Sequence, residues 1–393
     1  MARLNGSGIV LPDNLGWDQT LNRIGEPGYL GLLREPEADA TFVNPIYPGA
    51  DPWVVQKDGW YYLCQAGYGG RLEVWKSRTL TQRGERKIVW NPPASGWNRA
   101  QVWAPELHFV RGKWYIYYAA SDGHNAAHRM GVLEAATDDP QGPYVDRGVL
   151  YTGDDVGRGK RNRWAIDGTV LELRGRLYFL WSGWEGHEDV QHLYVAEMSN
   201  PWTISSNRVR LCDNCTHTWE RVGDRRGGRG LNEGPQVLVR NGKVFLVYSC
   251  SASWQSTYKL GMLWMDDSAD PMNPRSWRKL GGPVFESTAE VFGVGHCCFT
   301  QSPDGTEDWI LYHSKRYRWD GWDRVVRAQR FTWDENGFPV FGRPAATGRA
   351  MAVPSNRLVP VAPLCAPLSL GGERPGAVVT AREAAATVVH DAA

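Results

Sequence analysis

One pattern recurs five times along this 393-residue chain and limits what the chain can fold into. Each copy begins with a turn containing glycine, continues with alternating aromatic and β-branched residues, and ends in small polar residues. The five copies are DGWYYLCQAG (58–67), RGKWYIYYAAS (111–121), RGRLYFLWSG (174–183), RNGKVFLVYSCS (240–251) and DGTEDWILYHS (304–314). Each copy is typical of a hairpin turn followed by a buried strand.

The spacing of the copies indicates the fold class. The aromatic residues at equivalent points are separated by 54, 63, 67 and 64 residues; they are Tyr61, Tyr115, Tyr178, Phe245 and Trp309. A propeller blade of four short strands needs roughly 40–50 residues, and longer loops account for the excess. We therefore predict an all-β chain with a five-bladed β-propeller over residues 43–343. A β-sandwich is the alternative, but a sandwich has no reason to repeat at this period.

The segments on either side of the propeller carry less information. Residues 1–42 are predicted to be an N-terminal extension that packs on the propeller. Residues 344–393 are rich in Ala, Pro and Val and contain no Trp, Tyr or Phe. We expect this second segment to be a flexible C-terminal tail.

Charge and hydrophobicity argue against several classes of function. The 44 Lys and Arg residues balance 43 Asp and Glu, so a net charge of +1 offers no broad basic field for nucleic acid or an anionic membrane. No run approaches the roughly 20 apolar residues of a membrane-spanning helix. The first residues lack the apolar core of a secretory signal, so a cytoplasmic location is the default expectation, with secretion left open. Cys212 and Cys215 form a single C-x-x-C, a weak zinc signal, and we expect structural thiols instead.

A second shared feature precedes each copy of the repeat. The segments are GADPWVV (49–55), VWAPELHFV (102–110), AIDGTVLEL (165–173), NEGPQVLV (232–239) and GVGHCCF (293–299). Because the first strand of every propeller blade lines the central channel, residues at equivalent points should meet at one mouth. Those residues are Asp51, Glu106, Asp167, Glu233 and His296. Four carboxyls and an imidazole near one axis are electrostatically costly, which makes them a candidate site; capping of turns by the acids is the alternative.

The segments resemble glycoside hydrolase family 43, a family of five-bladed propellers that includes α-L-arabinofuranosidases, arabinanases and β-xylosidases. The stretches NPIYPGADPWVV, VWAPELH, AIDGTV, NEGPQVL and GVGHCCF stand in the family's order. This resemblance implies that Asp51 is the general base, Glu233 the general acid, and Asp167 the residue that orients and tunes the acid. It also implies hydrolysis with inversion.

Three carboxyls suit the cleavage of a glycosidic bond. One carboxylic acid must protonate the leaving oxygen, and in inverting enzymes a carboxylate roughly 6.5–9.5 Å away activates water. A further acid nearby raises the pKa of the proton donor by like-charge repulsion. We expect an inverting, exo-acting α-L-arabinofuranosidase that releases arabinose from arabinan or arabino-oligosaccharides. A β-xylosidase or endo-arabinanase, with a xylose- or arabinose-containing polymer as partner, and a non-catalytic carbohydrate-binding propeller are the alternatives.

The resemblance also implies pocket residues around the three acids. Trp103 and Ala104 would line the sugar pocket, because an aromatic face suits the apolar face of a sugar ring. Tyr68 matches a position that usually carries a pocket aromatic. A place in the core is the alternative for Trp103.

Basic residues complete the expected site. Arg324 fits a late arginine of the family that contacts sugar hydroxyls, with Arg327 and Arg330 as rivals on the same segment. No cofactor is expected to be required. A calcium ion near His296 is left open, because one histidine with water would be an unusual calcium site. His313 lies inside a strand and is expected to serve packing.

Overall fold

The computed structural model describes residues 40–158, 161–186, 190–222 and 230–356. Over these ranges the regular structure consists of strands and short turns, without an α-helix. The 3-10 turns are Tyr68–Gly70, Asn125–Ala127, Thr218–Arg221 and Pro274–Ser276. In this part of the chain no helical segment has the length and apolar character needed to cross a membrane.

Antiparallel sheets form five blades, which are numbered I to V in chain order. From the inside outwards, blade I is Trp53–Lys57, Trp60–Ala66, Leu72–Ser77 and Glu85–Trp90, and blade II is Ala100–Val110, Lys113–Ser121, Arg129–Ala135 and Tyr144–Val149. Blade III is Ala165–Leu173, Arg176–Trp184 and Gln191–Asn200, with Thr203–Ile204 and Val209–Cys212 both paired to its third strand, and blade IV is Asn232–Arg240, Lys243–Cys250, Lys259–Asp266 and Arg278–Lys279. Blade V is Gly295–Gln301, Asp308–Lys315 and Arg324–Trp333, with Tyr47–Pro48 and Pro339–Val340 paired to its third strand. The predicted all-β, five-bladed propeller is confirmed.

Each copy of the sequence repeat forms the second strand of one blade. The five aromatic markers are all buried in these strands, at Tyr61, Tyr115, Tyr178, Phe245 and Trp309. Alternation of large apolar residues lets both faces of the strand pack, because a blade inside the ring has a neighbour on each side. The sequence repeat therefore corresponds to the strand of each blade that is buried on both faces.

The core is divided among the five junctions between neighbouring blades. Separate apolar clusters join blades I and II, II and III, III and IV, IV and V, and V and I. Tyr117 and Trp181, for example, are fully buried between blades II and III. Burial of a large apolar side chain contributes about 1.5–3 kcal/mol, so each junction stabilises the ring and holds its two blades in register.

Both ends of the described chain close the ring. Tyr47–Pro48 pairs with the third strand of blade V, with Tyr47 opposite Val326 and Pro48 opposite Val325. Thr41–Val43 pairs with Ala350–Ala352. The predicted extension at residues 1–42 falls mostly outside the described residues, since only residues 40–42 belong to them.

The predicted start of the flexible tail, at residue 344, is placed too early in the sequence. Arg327 donates hydrogen bonds to the Ala345 carbonyl at 3.2 Å and to the Thr347 hydroxyl at 2.8 Å, and Ser355 N–H donates to Glu307 at 3.0 Å. Residues 344–356 are therefore bound to the propeller by polar contacts, which a count of aromatic residues does not detect. The remainder of the predicted tail, 357–393, lies outside the described residues.

A left-handed residue stands at the channel end of every blade. Its φ is 49° at Asp51, 40° at Ala104, 54° at Asp167, 54° at Gly234 and 44° at His296. The ladder register shifts at the same point in blades II to V. Positive φ strains most side chains, and Asp and His tolerate it better than most. In blades I, III and V the side chain of this residue itself reaches the axial cavity, whereas in blades II and IV the preceding residue does so, Trp103 or Glu233.

The bulges correct the predicted alignment of the blades. Ala104 and Gly234, rather than Glu106 and Glu233, are the structural equivalents of Asp51, Asp167 and His296. Glu106 therefore lies two residues further down its strand, and Glu233 one residue earlier. The sequence motifs place the acidic residues at equivalent points of the blades, whereas the backbone places the left-handed residues there.

Candidate active site

A cavity of about 490 Å³ opens where the inner strands begin. All five blades contribute to its lining, for example through Asp51, Trp103, Asp167, Glu233 and Arg324. The three predicted catalytic acids are thus brought together in one cavity, with the predicted arginine and one predicted tryptophan. The volume lies in the range of small-molecule binding sites.

Three basic side chains surround the carboxylate of Asp51. Its Oδ1 lies 3.1 Å from Arg324 Nη1, 3.3 Å from His296 Nδ1 and 3.1 Å from His313 Nδ1. Burial alone would raise the pKa of this carboxyl, but the charges of Arg324 and His296 outweigh burial and hold the pKa well below its usual range. Burial lowers the pKa of His313 to about 4, so its imidazole is neutral near pH 7 and accepts from the Asp51 N–H. Asp51 is therefore an ionised carboxylate that still reaches the cavity, with 22% of its side chain exposed.

The carboxyl of Glu233 is held at both oxygens. Gln191 Nε2 donates to Oε2 at 2.9 Å, and the Tyr258 hydroxyl donates to Oε1 at 2.8 Å. Glu233 and Tyr258 are buried, and the Tyr258 ring stacks on His313 with centroids 5.5 Å apart. One ring pair thus connects the surroundings of Glu233 with those of Asp51.

Asp167 lies between the other two acids in an environment that disfavours its charge. Burial raises the pKa of its carboxyl to about 7, helped by the nearby charges of Glu233 and Asp51 and opposed by His296. Its Oδ2 accepts a hydrogen bond from Gly234 N–H at 3.0 Å and lies 3.9 Å from His296 Nδ1. The contact with Gly234 links Asp167 to the residue directly after Glu233.

His296 bridges two of the acids instead of standing alone. Burial disfavours its cation, but Asp51 and Asp167 prevail and raise the pKa of the imidazole. A Cβ on Gly234 would approach the His296 ring at 3.2 Å, so glycine leaves room for the ring beside the Glu233 backbone. His296 therefore supplies positive charge between Asp51 and Asp167 near neutral pH.

Glu106 lies deeper in the channel and does not line the cavity. It is buried, lies 2.8 Å from His108 Nε2, and also accepts a hydrogen bond from Gln236. The ring of Trp53 packs on His108 with centroids 4.4 Å apart. These contacts form a polar plug beneath the cavity that joins blades I, II and IV.

Tryptophans form the upper walls of the cavity. Trp103 stacks on His128 with ring centroids 3.8 Å apart, and Trp164 lies further along the same wall. Across the opening, Trp254 and Trp322 have centroids 5.8 Å apart. Trp103 is thus a wall residue rather than a core residue.

Two predicted pocket residues are not in the lining. Tyr68 belongs to the turn after the second strand of blade I, and 91% of its side chain is exposed. Ala104 is the bulge residue of blade II and directly follows Trp103 in the sequence. It is buried and does not line the cavity. Both predictions rested on the position of the residue in a motif. The turn at Tyr68 and the bulge at Ala104, which orient these side chains, cannot be read from such a position.

The rival arginines have other partners. Arg327 is buried against Ser314 and the segment after blade V, and Arg330 pairs with Glu307. Only Arg324 of the three lines the cavity. Arg327 is an odd number of residues from Arg324 and so points to the other face of the strand, whereas Arg330 shares the face of Arg324 but lies about 20 Å further from the cavity end.

The calcium ion near His296 stays a prediction. Within the described ranges there is no cluster of three or more His, Cys, Asp or Glu side chains that could hold a metal ion. The Nδ1 atom of His296 faces carboxylates, and calcium prefers six to eight oxygen ligands. These residues do not fit a calcium site. Cys212 and Cys215 are free thiols.

Sequence reasoning missed three residues that contact the acids. His313 was expected to serve packing, yet its Nδ1 accepts a hydrogen bond from the Asp51 N–H at 3.2 Å. Tyr258 and Gln191 belong to no repeated motif. The one available signal was the position of His313 at the end of the blade V repeat, which falls at the cavity end of the strand.

Three carboxyls in an axial cavity walled by tryptophan, on a five-bladed propeller, are the arrangement expected of a glycoside hydrolase. The sequence model described as "Glycosyl hydrolases family 43" matches residues 42–339. The chain belongs to this family, which confirms the resemblance found in its motifs.

Three similar proteins are informative. An extracellular exo-α-(1→5)-L-arabinofuranosidase of Streptomyces avermitilis is 34% identical over 83% of this chain and 68% of its own length. Alpha-L-arabinofuranosidase 43 of Humicola insolens is 34% identical over 78% of this chain and 64% of its own length. The crystal structure of an α-L-arabinofuranosidase from Lactobacillus brevis has a TM-score of 0.70 and 33% identity, over 78% of this chain and 98% of that one.

These relatives do not support the expected cytoplasmic location. The Streptomyces avermitilis protein and a relative from Streptomyces chartreusis, 34% identical over 73% of this chain, are both named extracellular.

Proposed function

We propose that this chain is an exo-acting, inverting α-L-arabinofuranosidase that releases arabinose from arabinan or arabino-oligosaccharides. The observation that carries the proposal is the contrast between two carboxyls in one cavity. Asp51 is held ionised by Arg324 and His296, whereas Glu233 is buried on a blade that does not adjoin blade I, with its two oxygens held by Gln191 and Tyr258. The names of the relatives supply the sugar.

Asp51 acts as the general base. Arg324 and His296 keep the carboxylate charged across the working pH range, so it can accept a hydrogen bond from water. Water held by Asp51 attacks the anomeric carbon from the side opposite the leaving group and loses its proton to the carboxylate. The product has the inverted configuration.

Glu233 acts as the general acid and gives its proton to the glycosidic oxygen. The hydroxyl of Tyr258 can accept as well as donate a hydrogen bond, so it can serve both protonation states of Glu233. Gln191 holds the second oxygen and fixes the direction of the carboxyl. Asp167 accepts a hydrogen bond from the N–H of Gly234, the residue directly after Glu233, and so helps to orient the acid.

The shape of the cavity supports exo action. Residues from all five blades line it, including the tryptophans Trp103, Trp164, Trp254 and Trp322, which suits the end of a chain, whereas cleavage inside a polymer needs an open groove. We expect the enzyme to meet its polymer outside the cell, as the two relatives named extracellular do. A non-catalytic sugar-binding propeller is disfavoured because all three acids are present.

Hydrolysis of two chromogenic substrates tests the proposal. We expect 4-nitrophenyl α-L-arabinofuranoside to be cleaved much faster than 4-nitrophenyl β-D-xylopyranoside, with the β-anomer as the first sugar seen by NMR. A preference for the xyloside would support the β-xylosidase instead. Retention of the anomeric configuration would refute the roles given to Asp51 and Glu233. The variant Asp51→Asn should lose turnover but keep sugar binding, and near-normal turnover would refute the base role.

A further inference from the structure

The loop between the second and third strands of blade V exposes three aromatic side chains. The exposed fraction is 43% for Tyr317, 68% for Trp319 and 62% for Trp322. Isolated exposed apolar residues are ordinary, but three large rings within six residues form a patch. Such a patch next to a cavity marks a surface that binds something.

The loop is firmly attached, so its rings are presented in a fixed place. Arg316 Nε contacts Asp323 Oδ1 at 3.0 Å across its base. Gly321 N–H donates to the Trp254 carbonyl at 2.9 Å, and Lys315 Nζ donates to the carbonyls of both residues, at 2.7 Å to Trp254 and 2.6 Å to Gly321. A loop tied in this way loses little entropy when a ligand binds.

One ring of the loop lies at the cavity and the other two form a stacked pair on the same loop. Trp322 lines the cavity beside Trp254, and the Arg324 guanidinium lies 5.4 Å from its ring. Earlier in the loop, the rings of Tyr317 and Trp319 are stacked, with centroids 4.5 Å apart and an angle of 7° between their planes. We call this pair the blade V platform. Stacking occupies one face of each ring and leaves flat outer surface exposed.

The location relative to the acid indicates what the platform would bind. The blade V loop is bonded to the loop carrying Trp254, which belongs to blade IV, the blade of Glu233. Glu233 protonates the leaving oxygen under the proposed function, so this side of the cavity faces the leaving group. Flat aromatic surface suits the apolar face of a sugar ring.

We propose that the blade V platform, Tyr317 and Trp319, binds leaving-group sugars of a linear arabino-oligosaccharide whose terminal unit occupies the cavity. This inference rests on the proposed function and extends it from the unit that is cleaved to the chain that is held. The platform would make longer arabino-oligosaccharides better substrates than shorter ones.

The test compares chain lengths in Trp319→Ala and Tyr317→Ala. The measured quantity is kcat/KM on linear arabino-oligosaccharides of increasing length, divided by kcat/KM on 4-nitrophenyl α-L-arabinofuranoside. We expect this ratio to fall about two- to twelve-fold for the longer oligosaccharides, since one aromatic contact contributes about 0.5–1.5 kcal/mol. In an Asp51→Asn background, calorimetry with the same uncleaved oligosaccharides should show weaker binding when Trp319 is replaced.

Tyr68→Ala is the matched control, because Tyr68 is an even more exposed ring that lies outside the cavity lining. Its ratio should remain that of the unmodified protein. An unchanged ratio in Trp319→Ala, or an equal fall in Tyr68→Ala, would overturn the platform. Absence of any arabinofuranoside cleavage by the unmodified protein would instead overturn the proposed function, so the two failures are distinguishable.

Discussion

Replacement of Asp167 by Asn should stabilise the fold at neutral pH while impairing turnover. Burial, with the charges of Glu233 and Asp51, raises the pKa of the Asp167 carboxyl from 3.8 to about 7. In the unfolded chain this carboxyl loses its proton near pH 4. Between about pH 4 and 7 the folded protein holds a proton that the unfolded chain has released, so the free energy of unfolding falls as the pH rises.

The size of the effect follows from this difference. About three pKa units at about 1.36 kcal/mol each amount to up to about 4 kcal/mol by pH 7. Asn does not titrate, can still accept the hydrogen bond from Gly234 N–H, and tolerates the φ of 54° at this position. A fold of roughly 300 residues unfolds with an entropy of about 0.6 kcal/mol/K, so Tm should rise by up to about 6 °C at pH 7.5 and hardly at pH 4.

Asp51→Asn is the matched comparison, with the same chemical change at the equivalent left-handed position of blade I. Its pKa lies well below the usual range, so the ionised side chain stabilises the fold at every pH above about 4 and this contribution is lost only as the pH falls below that value. Asp51→Asn should therefore be less stable throughout pH 4–7.5. Thermal unfolding of the three proteins at several pH values measures both effects. A lower Tm for Asp167→Asn at pH 7.5, or a difference independent of pH, would refute the electrostatic account.

Three further predictions concern the acid and its supports. Glu233→Ala should slow natural linkages far more than 4-nitrophenyl glycosides, because only poor leaving groups need protonation; equal losses on both would exclude Glu233 as the acid. Gly295→Ala should lower Tm by about 2–5 °C and reduce turnover, because a Cβ there would overlap the Tyr258 ring and cost about 1–3 kcal/mol, whereas Gly282→Ala, with open space around it, should do neither. Lys315→Met should raise KM more than it lowers kcat, since it frees two carbonyls that fix the cavity mouth; an unchanged KM would contradict that.

The sequence was sufficient for the architecture because the second strand of each blade is buried on both faces. Burial on two sides forces a nearly continuous apolar and aromatic run, which is easy to recognise five times over. The acids were found for a related reason, since Asp51, Asp167 and Glu233 stand at fixed offsets before these runs. Local patterns of this kind need no knowledge of distant contacts.

The remaining features depend on contacts that no local pattern contains. The ring is closed by a two-residue strand, Tyr47–Pro48, which is too short for any periodicity to show. His313 contacts Asp51 from 262 residues away, and Tyr258 reaches Glu233 from the loop directly before the third strand of blade IV, which carries no recurring motif. Tyr68 was misplaced because exposure depends on how its turn is oriented, and composition does not determine that orientation.

The closure of the ring has a consequence for biosynthesis. Asp51 follows the closing strand by three residues and is made early, whereas its partners His313 and Arg324 come from the last blade. A nascent chain that has left the ribosome up to blade IV already carries all three acids, but the carboxylate of Asp51 still lacks those two partners. Hydrolytic competence should therefore appear all at once, when the fifth blade emerges and captures the beginning of the chain, and incomplete products released before that moment should be inert towards the sugars around them.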